Sequence, residues 1–437
     1  MTEKKVFILS LGCAKNQVDS ETLAGLLKGA GFSLVEKMED AQIAIVNTCG
    51  FIQPAVEESI DAILDLEELK RAYSLEKIGV VGCLLNRYGE ELKKELPMVD
   101  FWAEAGQWEA LLADMGSSAG EAFQEVLPGH SVWSRYLKIS EGCSNNCSYC
   151  MIPSIRGPLR SFAVNEILSR AEFLVGQGAR EICLVGQDLT AYGMDWDGKS
   201  HLLRLIEVLN DKFSGSKIWF RLLYLHPARV NRDIISAVVS SDVFLNYLDM
   251  PLQHVDPEIL AKMNRGAFSE KDLRMPFEVA RELDPDFTLR TTFMAGFPGE
   301  TEKHHSKVLD FIEEIQLDRV GVFTFYEEEG AKAALMPEQV PVSVRERRAS
   351  EILELQSEIS YRRQQRFVGK TLEALVEDKV EEDGKKAWGR TYRDAPEVDG
   401  LVEIASDKNL QPGSFVKVKI KEVYEHDMAG EVVECED

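Results

Sequence analysis

Short apolar runs alternate with helical patterns along most of this 437-residue chain, and this alternation constrains the fold more than any other feature. In the first part, one helical pattern is expected to begin near Asp19 and Ser20 and to stop at Gly31, and another to begin at Pro54. Strand, helix and strand repeated in this way predict a doubly wound α/β domain over residues 1–120. The apolar runs that would form its buried parallel strands are residues 6–9, 43–46 and 78–81.

The same rhythm resumes after a junction rich in glycine, serine and alanine at residues 116–130. Helical patterns again separate the apolar runs, so this part predicts a (β/α)-type partial or full TIM barrel over residues 129–365. Its active site would lie at the carboxyl ends of the strands. The six candidate strands are residues 136–140, 181–186, 219–224, 244–250, 287–293 and 319–325.

The last seventy residues change character. A charged helix, roughly Ser343 to Arg366, leads out of the predicted barrel. Residues 366–437 then contain short alternating segments rich in β-branched residues, with turn signals between them. This pattern predicts a small antiparallel β-barrel of the OB-like kind.

Composition narrows the possible partners. Fifty basic and seventy-four acidic residues give a net charge of −24, which disfavours generic binding to phosphate backbones and favours basic partners. The sequence has no apolar run of the length that a membrane span requires. The short apolar run near the N-terminus fits a first strand better than a signal peptide, so a cytoplasmic location is expected. Cysteines in such a protein more often bind metals or act in catalysis than form disulfides.

The segment EGCSNNCSYC holds Cys143, Cys147 and Cys150 in a loop that follows a predicted barrel strand. Three cysteines at this spacing can bind three corners of a four-iron cluster and leave the fourth iron open. A zinc knuckle is the alternative, but no fourth cysteine or histidine lies nearby. The motif resembles that of the radical S-adenosylmethionine (SAM) superfamily. That resemblance implies that SAM binds the open iron and that Tyr149 packs near the adenine.

A second set of cysteines follows the first three predicted strands. Because parallel strands end at one edge of a sheet, Cys13, Cys49 and Cys83 are expected to converge and hold another cluster with an open iron. Small buried cysteines at strand ends are the alternative. Each cysteine has a neighbouring glycine that would allow close approach of the backbone. These glycines are Gly12, Gly50 and Gly82.

Several polar residues at the predicted strand ends are weaker candidates for SAM or substrate contacts. Each could equally be a hydrogen-bonded barrel residue, and His254 is not proposed as a metal ligand. Cys183 lies in an apolar strand and is expected in the core, and Cys435 in the acidic tail is not expected to have a role. The candidates are Gly186, Gln187, Asp188, Gln253 and Arg290.

Motifs along nearly the whole chain resemble the radical SAM methylthiotransferase family. They include SLGCAKNQVDSE, NTCGFI, GCLLNRYGEEL, CSNNCSYCMIPSIRGPLRS, LVGQDLTAYG, LDMPLQH and TTFMAGFPGET. GVFTFYEEEGAKAA and GRTYRDAPEVDGLVEI resemble the branch that modifies a ribosomal protein. Phe162 departs from the pattern, since the family has arginine there.

This resemblance implies three domains: a methylthiotransferase domain (1–120), a radical SAM domain (129–365) and a TRAM domain (366–437). It also implies two 4Fe-4S clusters, SAM and an electron donor such as flavodoxin. The implied substrate is an aspartate of small-subunit ribosomal protein twelve, on the ribosome, whose β C–H bond becomes C–S–CH3. That C–H bond has no useful acidity, which explains why a radical would be required.

Two other functions remain open from the sequence: a tRNA methylthiotransferase of the MiaB type and a non-catalytic electron carrier. An electron carrier has no need of open irons. Residues 366–437 contain eleven basic and eighteen acidic residues, a net charge of −7. A domain that binds tRNA should be basic, so this charge disfavours tRNA binding and a basic ribosomal protein is the expected partner.

Overall fold

The computed structural model describes residues 4–72, 75–118, 123–266, 269–380 and 385–435. The predicted junction at 116–130 therefore lies partly outside the described residues, as does the side chain of Cys435. Within the described part of the chain, no helix is long and apolar enough to cross a membrane.

The N-terminal unit is a five-stranded parallel sheet in the order β2-β1-β3-β4-β5. Helices α1 and α4 pack on one face and α2 and α3 on the other, because alternate strand residues point to opposite faces. This confirms the doubly wound domain. Its elements are β1 (Lys5–Ser10), α1 (Ala14–Gly29), β2 (Ser33–Leu34), β3 (Ile43–Thr48), α2 (Gln53–Arg71), β4 (Lys77–Gly82), α3 (Cys83–Glu95), β5 (Phe101–Ala103) and α4 (Trp108–Asp114).

The predicted start of the first helix is wrong. Helix α1 begins at Ala14, directly after Cys13, which takes the extended backbone conformation of an N-cap residue. Asp19 and Ser20 resemble a helix cap in sequence, but both are buried inside the helix. Asp19 instead forms an ion pair across the domain boundary with Lys138, at 2.5 Å. The predicted start of the second helix is confirmed, since Pro54 is the second residue of α2.

The central unit contains all six predicted strands, which run parallel and follow one another in chain order. A parallel bridge between Phe220 and Phe244 joins its two three-stranded halves. No pair between β6 and β13 occurs among the described residues, so the barrel is partial. The elements are β6 (Ser134–Lys138), β7 (Ser140–Glu141), α5 (Ile152–Arg156), β8 (Arg160–Ser161), α6 (Val164–Gly176), β9 (Glu181–Val185), α7 (Met194–Asp197), α8 (Leu202–Phe213), β10 (Trp219–Leu222), α9 (Arg232–Val239), β11 (Tyr247–Asp249), α10 (Pro257–Lys262), α11 (Glu270–Leu283), β12 (Thr288–Ala295), α12 (Glu302–Ile315) and β13 (Arg319–Thr324).

The C-terminal unit is a closed five-stranded barrel in the order β14-β15-β16-β18-β17. Four pairings are antiparallel, but β16 and β18 are parallel, so the expectation of a wholly antiparallel barrel is wrong in this detail. The reason is geometric: an odd number of strands cannot close a ring in which every neighbour reverses direction. The elements are α13 (Val342–Gln365), β14 (Thr371–Lys379), β15 (Lys386–Thr391), β16 (Val402–Ala405), β17 (Phe415–Val423) and β18 (Met428–Cys435).

The small barrel closes the amino-terminal end of the central barrel with buried ion pairs. Glu181, the first residue of β9, accepts from Arg390 of β15 at 2.5 Å and from Arg221 of β10 at 2.7 Å. Arg319, the first residue of β13, pairs with Asp394 at 2.8 Å. All five side chains are buried. The central barrel is therefore open for ligands at its carboxyl end, where the N-terminal unit sits.

Candidate active site

The structure brings together the three strand-end cysteines of the N-terminal sheet. Strands β1, β3 and β4 are neighbours, so Cys13, Cys49 and Cys83 follow adjacent strand ends. A Cβ atom added at Gly12 would lie 2.8 Å from the Cys49 Cβ, and one at Gly50 would lie 2.9 Å from the Cys83 carbonyl oxygen. Only glycine permits these two approaches, so the neighbouring glycines are what lets the cysteine loops meet.

The thiols of this N-terminal triad differ in their electrostatic surroundings. Burial raises the pKa of Cys49 to about 11 and also raises the pKa of Cys83. Burial alone would raise the pKa of Cys13. The Lys15 ammonium, a backbone N–H and Arg156 more than offset this effect, so the pKa of Cys13 is lowered. Cys13 is also the most accessible of the three. Its thiolate is therefore the easiest of the triad to form and to bind a metal.

The second triad, Cys143, Cys147 and Cys150, lies in the loop between β7 and α5 and lines a cavity of about 300 Å³. Burial raises the pKa of Cys150 to about 12. Among the described residues, no three of the chain's thiols come within 4.8 Å of one another. A tetrahedral zinc ion with ~2.3 Å bonds holds its sulfurs only about 4 Å apart, so both triads are too open for one zinc ion. A four-iron cluster holds its thiolates farther apart than one zinc ion does, so the spacing of the triads does not conflict with such a cluster.

The cavity sits at the carboxyl ends of the barrel strands, and both larger units line it. Lys15, Phe51 and Ile52 come from the N-terminal unit and share the cavity wall with the second triad. Of the weaker candidates, Gln187, Asp188 and Gln253 also line the cavity, as does Tyr149.

These candidates differ in whether their polar atoms already have partners within the protein. Gln253 has a left-handed backbone (φ 71°), and its buried Oε1 has no partner within the described residues, so it can accept a hydrogen bond from a ligand. Asp188 is engaged, since it accepts from Asn145 at 2.7 Å and pairs with Arg229. Gly186 packs tightly, because a Cβ there would lie 2.8 Å from the Ser140 Oγ.

The structure does not bring Arg290 to this cavity. Its guanidinium pairs with Asp249 at 2.9 Å and with Asp399 of the small barrel at 3.4 Å. Thr292 and Met294 lie on the same face of β12 and line the cavity. Arg290 is one step nearer the amino end of that strand, so its side chain points into the sealed end of the barrel.

Sequence reasoning missed Arg156, which lies in α5 just beyond the second triad. Its side chain crosses to the N-terminal unit, where Nη1 donates to Asp19 at 2.6 Å and Nη2 to Asn16 at 2.8 Å. Its Nε lies 3.1 Å from the Cys83 sulfur. The segment SIRGPLRS gave no local signal of this contact, because the partners are distant in sequence.

Sequence reasoning also missed three other charged residues near the cavity. Arg265 donates to the Tyr149 hydroxyl at 3.3 Å. Glu328, which follows β13, pairs with Arg87 of α3 at 3.0 Å and fastens the two larger units together. Lys15 lines the cavity, with its Nζ 3.6 Å from the centre of the Tyr224 ring. Its position two residues after Cys13 was the only available hint.

Three family models match successive parts of the chain: "Uncharacterized protein family UPF0004" at residues 5–104, the radical SAM superfamily at 137–312 and the TRAM domain at 368–433. The ribosomal protein uS12 methylthiotransferase RimO of Carboxydothermus hydrogenoformans is 41% identical over 98% of this chain and 99% of its own. The protein of the same description from Aquifex aeolicus is 42% identical over 99% and 98%.

A solved structure shares the fold. The radical SAM methyltransferase TsrM from Kitasatospora setae aligns with a TM-score of 0.54 at 12% identity, covering 74% of this chain and 72% of that one. At this identity the likeness concerns the fold alone.

Proposed function

This chain belongs to the RimO family of ribosomal protein uS12 methylthiotransferases, and from that membership we propose that it adds a methylthio group to the β-carbon of a uS12 aspartate. The methylthiotransferase resemblance seen in the sequence motifs is thereby confirmed. The remaining proposals concern the number of clusters, the residues that hold them and the partners.

One observation carries the proposal at the level of the site. The cavity is walled by Cys143, Cys147 and Cys150 on the barrel side and by Lys15, Phe51 and Ile52 of the N-terminal unit. Methylthio transfer needs two chemistries at one carbon, hydrogen removal and sulfur delivery. A cavity walled by the second triad and by Lys15, which follows Cys13 of the N-terminal triad by two residues, would bring both chemistries close to one substrate atom.

Each triad is proposed to hold one 4Fe-4S cluster. Cys143, Cys147 and Cys150 would hold a cluster with one open iron, which would supply the electron for cleavage of SAM. Cys13, Cys49 and Cys83 would hold a cluster that would supply a sulfur site. The protein's own residues then position the reactants. Gln253 offers a free buried acceptor and Tyr149 an aromatic wall, held in place by Arg265. The sealed amino end of the barrel keeps water from entering behind the substrate.

The partners follow from the same chemistry. Reductive cleavage requires an electron donor, for which a flavodoxin is proposed, and uS12 on the ribosome would place the reaction in the cytoplasm. The cavity rim carries exposed apolar side chains, Phe323 and Tyr326, that a polypeptide substrate can cover.

The charge of the small barrel argues against tRNA as the substrate. Arg390 and Arg393, two of its eleven basic residues, are buried in ion pairs with Glu181 and Asp318 of the central barrel. They cannot contact phosphates. Asp394 and Asp399 of the small barrel are likewise buried in ion pairs with arginines of the central barrel, so the residues that remain keep a net charge of −7. Such a surface repels RNA and attracts a basic protein.

Mass spectrometry tests the proposal directly. The anaerobically reconstituted protein is incubated with SAM, a reductant and either a uS12 peptide containing the aspartate or unmodified tRNA. Methylthio mass on the peptide and none on the tRNA is expected. Modification of the tRNA with an unchanged peptide would overturn the substrate assignment.

A further inference from the structure

Among the described residues, Lys15 is a buried cation that forms no ion pair with a carboxylate. Its side chain is only 7% exposed, yet none of its contacts in the described part of the chain is an ion pair with a carboxylate. Its ammonium lies over the face of Tyr224, 3.6 Å from the ring centre, and it also interacts with the Cys13 thiol. A cation–π contact at a desolvated site compensates only part of the cost of burying a charge.

The other charged side chains of the cavity wall are already engaged. Asp188 pairs with Arg229, and Glu328 pairs with Arg87. Arg265 donates to the backbone carbonyls of Pro251 and Leu252 and to Tyr149. Among the described residues, Lys15 is therefore the charged group of this wall that still has capacity for an anion, and it lines the same cavity as Cys143, Cys147 and Cys150.

We propose that Lys15 binds the carboxylate of the acceptor side chain and so makes the enzyme specific for an acidic residue. This inference rests on the proposed function, because it names the residue that recognises the aspartate. The ammonium lies on α1, two residues beyond Cys13. A carboxylate held there places the adjacent β-carbon on the side of the cavity that faces the N-terminal triad, where sulfur would be delivered.

SAM also carries a carboxylate, so the two possible anions must be separated by experiment. Binding of a fluorescent uS12 peptide to the reconstituted holoenzyme is measured for the native peptide and for one with asparagine in place of the aspartate. SAM binding is measured in parallel by equilibrium dialysis. Iron content and the electron paramagnetic resonance (EPR) spectra of the clusters report whether each variant is loaded.

Wild-type protein is expected to bind the aspartate peptide about 10- to 100-fold more tightly than the asparagine peptide, the range for a charge-assisted hydrogen bond. Lys15→Met should abolish that preference with iron content and SAM affinity retained. Lys15→Arg should restore part of it, because it keeps the charge. Lys28→Met is the matched control, since Lys28 lies on the same helix but is exposed and pairs with Glu125.

Three results would overturn the inference. The first is that wild-type protein binds both peptides equally. The second is that Lys15→Met keeps the preference for the aspartate peptide, and the third is that Lys15→Met loses affinity for SAM alone. If Lys15→Met fails to load clusters, the inference is still tested by the peptide preference of the wild-type protein and of Lys15→Arg. Failure of the proposed function is distinct, because the wild-type protein would then modify neither peptide.

Discussion

The Nε of Arg156 lies 3.1 Å from the Sγ of Cys83, so a residue of the radical SAM loop contacts a thiol of the N-terminal triad. The same guanidinium donates to Asp19, which also binds Lys138. All three charged side chains are buried. One side chain therefore fixes the N-terminal triad against the loop that holds the other triad.

Replacing Arg156 should disturb the N-terminal triad more than the second one. In Arg156→Met, the Cys83 sulfur loses its donor and Asp19 loses one of its two cations. The EPR spectrum of the cluster proposed at the N-terminal triad, the auxiliary cluster, should therefore shift. Methylthio transfer should fall at least 10-fold further than SAM cleavage. The control is Arg160→Met, an exposed arginine close to the same loop. An unchanged auxiliary spectrum would contradict the coupling.

Removing one cysteine of each triad should separate the two chemistries. Cys13→Ala is expected to lower bound iron from about eight to about four atoms per chain and to abolish methylthio transfer, while SAM cleavage stays measurable. Cys143→Ala should abolish both. Iron analysis, EPR and quantification of 5′-deoxyadenosine check these outcomes. Equal loss of SAM cleavage in both folded variants would argue against separate roles.

The ion pairs that seal the barrel should contribute to stability. Arg390→Met leaves Glu181 with Arg221 as its remaining cation and Glu377 without one of its contacts. Breaking a buried pair from one side costs about 3–5 kcal/mol of unfolding free energy. Lys421→Met breaks an exposed pair with Glu431 and should cost less than about 1 kcal/mol. Urea unfolding measures both, and equal losses would contradict the assignment.

Stability should fall below pH 6.5 because of His254. Burial lowers the pKa of this histidine to about 3, so it stays neutral in the folded protein while the unfolded chain takes up a proton. At this residue the unfolded state binds more protons between pH 6.5 and 3, so His254 alone lowers the free energy of unfolding by about 2 kcal/mol at pH 5 relative to pH 7. Urea unfolding of His254→Gln at both pH values should show a correspondingly smaller difference. Identical differences in parent and variant would contradict this.

The sequence by itself determined the elements and where the cysteines lie along them. Strand and helix periodicities are local, so the six barrel strands appear where expected. Cys13, Cys49 and Cys83 were placed at one edge because a parallel sheet aligns its strand ends, and neighbouring glycines then let them approach.

Tertiary structure alone decided which polar residues face the cavity and which hold the units together. Asp19 looked like a helix cap but binds Arg156, 137 residues away, and Arg390 reaches Glu181, 209 residues away. Arg290 looked like a cavity residue but lies at the sealed end of the central barrel, where it pairs with Asp399 of the small barrel. Periodicity specifies the face of a strand, whereas partners and depth are set by contacts between segments distant in sequence.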